Sequence, residues 1–259
     1  MLNDTDLERY ARQAIMPEIG ESGQEKLLAA RVLVVGAGGL GAPVILYLAA
    51  AGIGTITIID DDDISRSDLN RQIIYRDDDI GSSKSRNAAH AANMLNPDIR
   101  ISQLAMRLDT NNVENLVTSN DVVIDCSDNA KTRYMIGDAV HHCCRPLVFG
   151  GAVRMEGQIS VFQSSVKGHI GSPCYRCVFP SIPETKQAPG CLEAGILGPI
   201  VGLVGTLQAL ETIKLILGQP GTLTSRLLLI EGAASNFTEI QTVARPDCRC
   251  CGEPDKNIF

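Results

Sequence analysis

The 259-residue sequence contains no tryptophan, and aromatic residues make up only 4% of it. An aromatic stacking platform for single-stranded nucleic acid is therefore not expected. Basic charge is also short: 23 Lys and Arg stand against 30 Asp and Glu, a net charge of −7, which disfavours binding to a phosphate backbone. The four histidines have no spacing that suggests a site, since His141 and His142 are adjacent and His90 falls in a helical run. The polar N-terminus, MLNDTDLERYARQ, has no apolar stretch of a secretory leader, so the cytoplasm is the expected location. The longest run without charge is Val32 to Ile59, 28 residues, more than the ~20 that span a bilayer. Six glycines and Pro43 interrupt it and the acidic run Asp60–Asp63 follows, so it reads as strand, helix and strand, and no membrane span is expected.

What is present is a folded-protein composition, 44% hydrophobic and 20% charged. At about 150 residues per domain the length suits one large domain or one with an appendage. Nine cysteines, an odd number, do not suggest a disulfide framework; metal or thiol chemistry fits better.

Strands are expected at Val32–Val35, Thr55–Ile59, Ile99–Leu104, Asp121–Asp125 and Pro146–Phe149. Helical stretches at Leu40–Ala51, Ser83–Leu95, Asn111–Thr118 and Ala130–Cys143 separate them, the alternation of a parallel α/β sheet. Leu7–Leu28 reads as one or two polar helices ahead of it. Beyond Gly151, strands are expected at Arg154–Phe162, Arg226–Ile230 and Phe237–Val243. Between them come a polar, Pro-rich segment at Phe179–Gly190 and a helical run from Gly195 into Leu217 that starts uncharged and should be buried. This divides one continuous domain into a helical segment (1–30), a nucleotide-binding half (31–150) and a C-terminal half (151–259).

Gly36-Ala37-Gly38-Gly39-Leu40-Gly41 follows the first strand and opens a helix, the context in which G-x-G-x-x-G cradles phosphate. Glycines allow close backbone approach and the helix N-terminus favours negative charge. Asp60, at the end of the next strand, is placed to accept from ribose hydroxyls. Arg71 and Lys84 near the same edge suit a triphosphate better than a dinucleotide. Asp128, past the fourth strand in Asp125-Cys126-Ser127-Asp128-Asn129, could hold Mg²⁺ or simply cap a helix. Cys174/Cys177 and Cys248/Cys251 form two C-x-x-C pairs, a structural zinc pattern with no open position, although Cys250 makes the fourth ligand ambiguous. Cys191 could supply a thiol or fill apolar space; Cys126, Cys143 and Cys144 read as core.

Arg9-Tyr10-Ala11-Arg12-Gln13, the GAGGLG turn, Ser67-Asp68-Leu69-Asn70-Arg71-Gln72, Lys84, the DCSDN segment, Cys174-Tyr175-Arg176-Cys177 and Cys248–Gly252 together resemble the ThiF/MoeB/HesA group of sulfur-carrier-protein adenylyltransferases, relatives of ubiquitin-activating enzymes. The resemblance covers about residues 7 to 252. It implies a Rossmann-like, mostly parallel sheet with helices on both faces, extended by antiparallel C-terminal strands and a zinc site. It also implies a homodimer that uses MgATP to adenylate the C-terminal glycine carboxylate of a small β-grasp sulfur carrier, for thiamin or molybdopterin synthesis, with sulfur coming from a separate donor. The nucleotide-binding set so implied is Gly36, Gly38, Gly39, Gly41, Asp60, Asp62, Asp68, Arg71, Gln72, Lys84, Asp128 and Asn129. Arg12 would reach the neighbouring subunit's ATP, Cys191 falls where some members use a thiol in a later sulfur-transfer step and others keep a cysteine without needing it, and Phe179–Gly190 would be the loop that the carrier's tail crosses. Asp68 departs from the family's usual Asn. If it faces the phosphates, Asp68→Asn should tighten ATP binding by ~1–2 kcal/mol; if it pairs with Arg71 or magnesium, the change should weaken it. The first geometry is the expected one. The competing readings are an NAD-dependent dehydrogenase, which leaves Arg12, Arg71, Lys84 and the cysteine pairs without a role, and a non-catalytic zinc scaffold that binds a ubiquitin-like protein.

Overall fold

The computed structural model describes residues 2–181 and 194–252. Its frame is one eight-stranded sheet in the order β3-β2-β1-β4-β5-β6-β7-β8. Strands β1 (Arg31–Val35), β2 (Thr55–Ile59), β3 (Arg100–Leu104), β4 (Val122–Asp125) and β5 (Leu147–Val153) are parallel. Strands β6 (Glu156–Phe162), β7 (Arg226–Glu231) and β8 (Asn236–Gln241) then run antiparallel. The uncharged run thus splits into β1, helix α3 (Gly41–Ala51) and β2. Gly52 closes α3 in the left-handed conformation, φ 82°, where a Cβ would meet the Tyr10 ring at 2.6 Å.

Alternation along the strands divides the apolar side chains into two cores, one on each sheet face. Val32, Val34, Ile56 and Ile58 pack with α3, α4 (Lys84–Leu95) and α8 (Gly198–Leu217). Leu33, Val35, Ile59 and Phe149 pack on the other face with α5 (Val113–Thr118), α6 (Ala130–His142) and α7 (Tyr175–Val178). By length and composition α8 could cross a membrane, with 20 residues and a mean hydropathy of 1.6 over its most apolar window. Here it lies on the sheet, with Val201, Val204 and Ala209 in the core. Gly205 lets it touch α3, because a Cβ there would stand 2.4 Å from Leu40 O and 2.6 Å from Pro43 Cγ. Its buried Glu211 accepts from Lys214 at 2.5 Å and from Leu223 N at 2.7 Å.

The N-terminal helices α1 (Asp4–Ala14) and α2 (Gly20–Ala29) are tied to this core by polar contacts. Asn96 Nδ2 donates to Tyr10 Oη at 2.8 Å, Gln24 Nε2 to Ala51 O at 3.0 Å, and Arg9 Nε to Asp98 at 3.1 Å.

Two local expectations need correction. The strand expected from Arg154 begins at Glu156 instead; β5 continues through Gly150 and Gly151 to Val153, and Arg154 (φ 54°) turns the hairpin. Cys126 is core, but Cys143 is only half-buried and Cys144 exposed, because they leave the end of α6 on the surface side of the turn into β5.

Candidate functional site

Strand β1 has β2 on one side and β4 on the other, so the chain reverses its winding direction there and leaves a crevice above the strand ends. A cavity of about 790 Å³ occupies it. The turn after β1 forms its floor. Gly36, at φ 95°, has no room for a Cβ, which would lie 2.7 Å from Cys126 O, and Gly41 would meet Gly36 O at 2.1 Å. Gly36, Gly38 and Gly39 line the cavity; Gly41 does not, and serves the tight join of turn and helix.

Asp60 Oδ2 accepts from Ala37 N at 2.7 Å, fastening the end of β2 to the glycine turn, and Oδ1 accepts from Asp62 N at 2.9 Å. Burial raises its pKa, only partly opposed by those two N–H groups and Lys84. A short 3₁₀ turn at Arg66–Asp68 leads to Arg71, and Lys84 opens α4. Arg71 donates through Nη1 to Ser67 O (2.8 Å) and Asn70 Oδ1 (3.1 Å), and through Nη2 to Asp68 Oδ1 (3.1 Å). Lys84 Nζ pairs with Asp62 at 2.9 Å and lies 3.7 Å from Asp68. Burial opposes the Lys84 charge, but Asp62, Asp60 and Asp68 outweigh it and hold its pKa above the usual value.

Asp68 corrects an expectation. It is 6% exposed and its oxygens are committed: Oδ1 to Arg71 and Gln72 Nε2 (2.9 Å), Oδ2 to Ser65 N and Oγ (both 3.0 Å). The geometry is therefore the paired one. Burial raises its pKa, but Ser65 N–H, Lys84, the Ser65 hydroxyl and Arg71 outweigh burial and hold it below the usual carboxylate value.

Across the cavity, Asp128 and Asn129 sit in the turn between β4 and α6. The cap of α6 is Asn129, whose Oδ1 accepts from Thr132 N at 2.9 Å. Asp128 is exposed and, among the described residues, its carboxylate has no hydrogen-bond or ion-pair partner, so helix capping does not use it. Beneath it, Asp125 is fully buried and Oδ1 accepts from Ser127 N (2.9 Å) and Oγ (2.6 Å); burial pushes its pKa up.

Six aspartates (Asp60, Asp61, Asp62, Asp63, Asp68 and Asp128) and four cations (Arg71, Lys84, Arg107 and Arg133) line the cavity. Arg107 and Arg133 went unread in the sequence; Arg133, four residues past an Asn N-cap, had only its position to mark it. Arg12 is exposed on α1 and does not line this cavity. Cys191 and most of Phe179–Gly190 lie outside the described residues.

A second centre lies in the C-terminal half. Cys174, Cys177, Cys248 and Cys251 bring their sulfurs within 4.8 Å of one another, with Cys174–Cys248 at 3.5 Å, Cys177–Cys251 at 3.3 Å and Cys174–Cys177 at 3.7 Å. A disulfide needs about 2.05 Å, whereas a tetrahedron with Zn–S bonds of ~2.3 Å has edges of ~3.8 Å. The donor set and spacing fit a four-thiolate metal site. Cys251 is the fourth member, and Cys250 packs beside the cluster. Burial opposes ionisation at Cys248, but the N–H groups of Cys251 and Cys250 and the neighbouring thiols bring its pKa down to about 7.

Residues 10–251 match the family description "ThiF family". The chain belongs to the ThiF family. Similar proteins include the SAMP-activating enzyme E1 of Haloferax volcanii, 43% identical over 252 residues, 97% of this ThiF-family chain and 91% of that protein. The sulfur carrier protein adenylyltransferase of Thermus thermophilus is 40% identical over 249 residues, 96% and 92% of the two chains. Against the adenylyltransferase and sulfurtransferase MOCS3 of Culex quinquefasciatus, 42% identity extends over 97% of this chain but 57% of that protein's length. Among solved structures, E. coli MccB shares the fold, with a TM-score of 0.79 and 22% identity over 95% of this chain and 72% of that one. MccB crystallised with ATP gives a TM-score of 0.76 and 23% identity over 89% and 69%.

Proposed function

We propose that this ThiF-family chain is an ATP-dependent adenylyltransferase that activates the C-terminal carboxylate of a small ubiquitin-like sulfur carrier and releases pyrophosphate. The observation that carries this reading is the convergence of Asp60, Arg71, Lys84 and Asp128, which caps no helix, on one cavity at the sheet's switch point. A relative named as a sulfur carrier protein adenylyltransferase and another named as a SAMP-activating enzyme E1, similar over 92% and 91% of their own lengths, support it.

The attacking group is already an anion, so no general base is needed; the barrier is bringing a carboxylate to a polyanion. Asp60 would take the ribose hydroxyls while its bond to Ala37 N keeps the glycine turn closed against the phosphates. Arg71 and Lys84 would neutralise phosphate charge, and their fixed partners hold them ready before the nucleotide arrives. Asp128 would hold magnesium, which when bound supplies further charge neutralisation at the phosphates. The four cysteines would hold zinc, and with no position left open that site would brace the C-terminal half rather than react. As a homodimer, each protomer would offer Arg12 to its partner's cavity. Cys191 would act only in later sulfur transfer, from a separate donor, in the cytoplasm.

The test is exchange of labelled pyrophosphate into ATP, with thiamin-pathway and molybdopterin-pathway carriers supplied in turn and the carrier weighed for added AMP. Carrier-dependent exchange by the wild type, abolished in a folded Asp128→Ala, is the expected result. Full exchange in that variant refutes the magnesium assignment, and no exchange with any carrier refutes the reading.

A further inference from the structure

The cations lining the cavity are not equivalent. Arg71 is paired with Asp68, and Lys84 with Asp62 and Asp68, so an anion arriving there competes with a carboxylate already in place. Arg107 and Arg133 have no such carboxylate among the described residues; Arg107 is exposed with its side chain unanchored, whereas Arg133 is half-buried and fixed in place. Its Nε (3.3 Å) and Nη2 (2.8 Å) both donate to Ser127 O, and its guanidinium carbon lies 5.4 Å from the centre of the Phe149 ring. No carboxylate of the described residues forms an ion pair with it. The nearby Asp125 is fully buried and bonded to Ser127. Three contacts therefore fix one edge of a half-buried guanidinium, while Nη1 has no partner among the described residues and the group lines the cavity.

Its place in the sheet says what it can meet. Asp60 directly follows β2, whereas Arg133 lies over a side chain of β5, and β1 and β4 stand between those strands. At the usual ~4.8 Å strand spacing that is roughly 14 Å. A nucleotide whose ribose is held at Asp60 puts its phosphates over the glycine turn of β1, between the two. What reaches Arg133 is the second reactant.

We propose that Arg133 is the carboxylate-binding residue of this site, donating to the C-terminus of the incoming carrier and setting affinity for the carrier rather than the rate of adenylation. This rests on the adenylyltransferase reading and adds to it the group that receives the acyl substrate. One carboxylate oxygen bonds to the α-phosphorus while the bond from that phosphorus to the bridging oxygen breaks, and pyrophosphate departs with the electron pair. The other oxygen becomes the acyl carbonyl and loses its share of the anionic charge. A guanidinium on that oxygen therefore holds the bound carboxylate more strongly than the transition state, which lowers KM without raising kcat.

Pyrophosphate exchange is measured against the concentration of whichever carrier the wild type uses, at saturating MgATP, with MgATP binding followed separately by thermal shift. Arg133→Gln is expected to raise KM for the carrier about tenfold or more, the scale of a charge-assisted hydrogen bond, with kcat within about threefold and MgATP binding unchanged. A residue that merely braces the Ser127 turn would instead disturb Asp128, and loss of MgATP binding or of kcat at unchanged KM overturns the proposal. Should Arg133→Gln not fold, Arg133→Lys, which cannot fork between Ser127 O and the tail, is expected to raise KM in the same direction, and an unchanged KM overturns it. A wild type that exchanges with no carrier removes the underlying reading, and this inference with it; exchange by the wild type with an unaffected Arg133→Gln removes this inference alone.

Discussion

Asp68→Asn tests the electrostatics of the cavity most directly. An asparagine can keep its carbonyl oxygen on Ser65 N and Oγ and turn its amide toward Gln72, whose Oε1 is buried without a partner and can accept once that amide is turned. What it cannot keep is the charge shared by Arg71 and Lys84. Removing one member of a buried pair costs about 3–5 kcal/mol. Here both cations keep other anchors, Ser67 O and Asn70 for Arg71 and Asp62 for Lys84, so roughly 1–3 kcal/mol of stability should be lost. Because those anchors also preserve the cations' positions, pairing with Arg71 no longer implies weaker nucleotide binding. A phosphate bonded to the same guanidinium lies about 5–6 Å from the carboxylate, and one charge pair at that range is worth roughly 1.5–3 kcal/mol at an effective dielectric of ~20–40. Salt screening leaves the lower end, so MgATP should bind about tenfold tighter. Stability and affinity thus move in opposite directions, read by urea unfolding of the free protein and by calorimetric titration with MgATP. Weaker MgATP binding refutes the claim that the cations hold their positions without Asp68. Unchanged stability refutes the ion pairs themselves.

The same carboxylate predicts a pH effect. Its folded pKa is lowered, so the unfolded chain binds the extra proton first; its contribution is present above about pH 4 and is lost as pH falls through the lower folded value. Urea midpoints between about pH 3 and pH 6 should therefore fall less steeply on acidification in Asp68→Asn than in the wild type, and parallel acid limbs would contradict the lowered pKa. Cys174→Ser should abolish bound metal in elemental analysis and expose the segment around Cys248 to protease; a wild type purified without chelator and free of zinc would contradict the site assignment. Gly205→Ala should cost at least about 2 kcal/mol and also weaken MgATP binding, because the new methyl pushes α8 off Leu40, next to the phosphate turn. An unaffected melting temperature would show that the two helices can part without penalty.

Much of the frame was legible in the residues because it rests on local rules. The apolar runs of β1 and β2, the glycines needing space or positive φ and the alternation of strand with helix each act within a few residues, and β2 falls where it was expected. The nucleotide-site candidates and both C-x-x-C pairs were likewise named from residue type, spacing and family resemblance. Partnership was not legible, because it depends on groups that the sheet brings together from distant segments. Nothing in the Ser67–Gln72 segment tells that Asp68 commits its oxygens to Ser65, Arg71 and Gln72, beside Lys84, instead of leaving them free for the phosphates, or that Asn129 rather than Asp128 caps α6. The sulfur of Cys251, not Cys250, joins the cluster because of how the tail folds back on Cys174 and Cys177, about 70 residues earlier. Arg133 had no sequence signal: its value lies in standing over a β5 ring with one edge bonded to the β4 turn, a relation that exists only after those strands lie side by side.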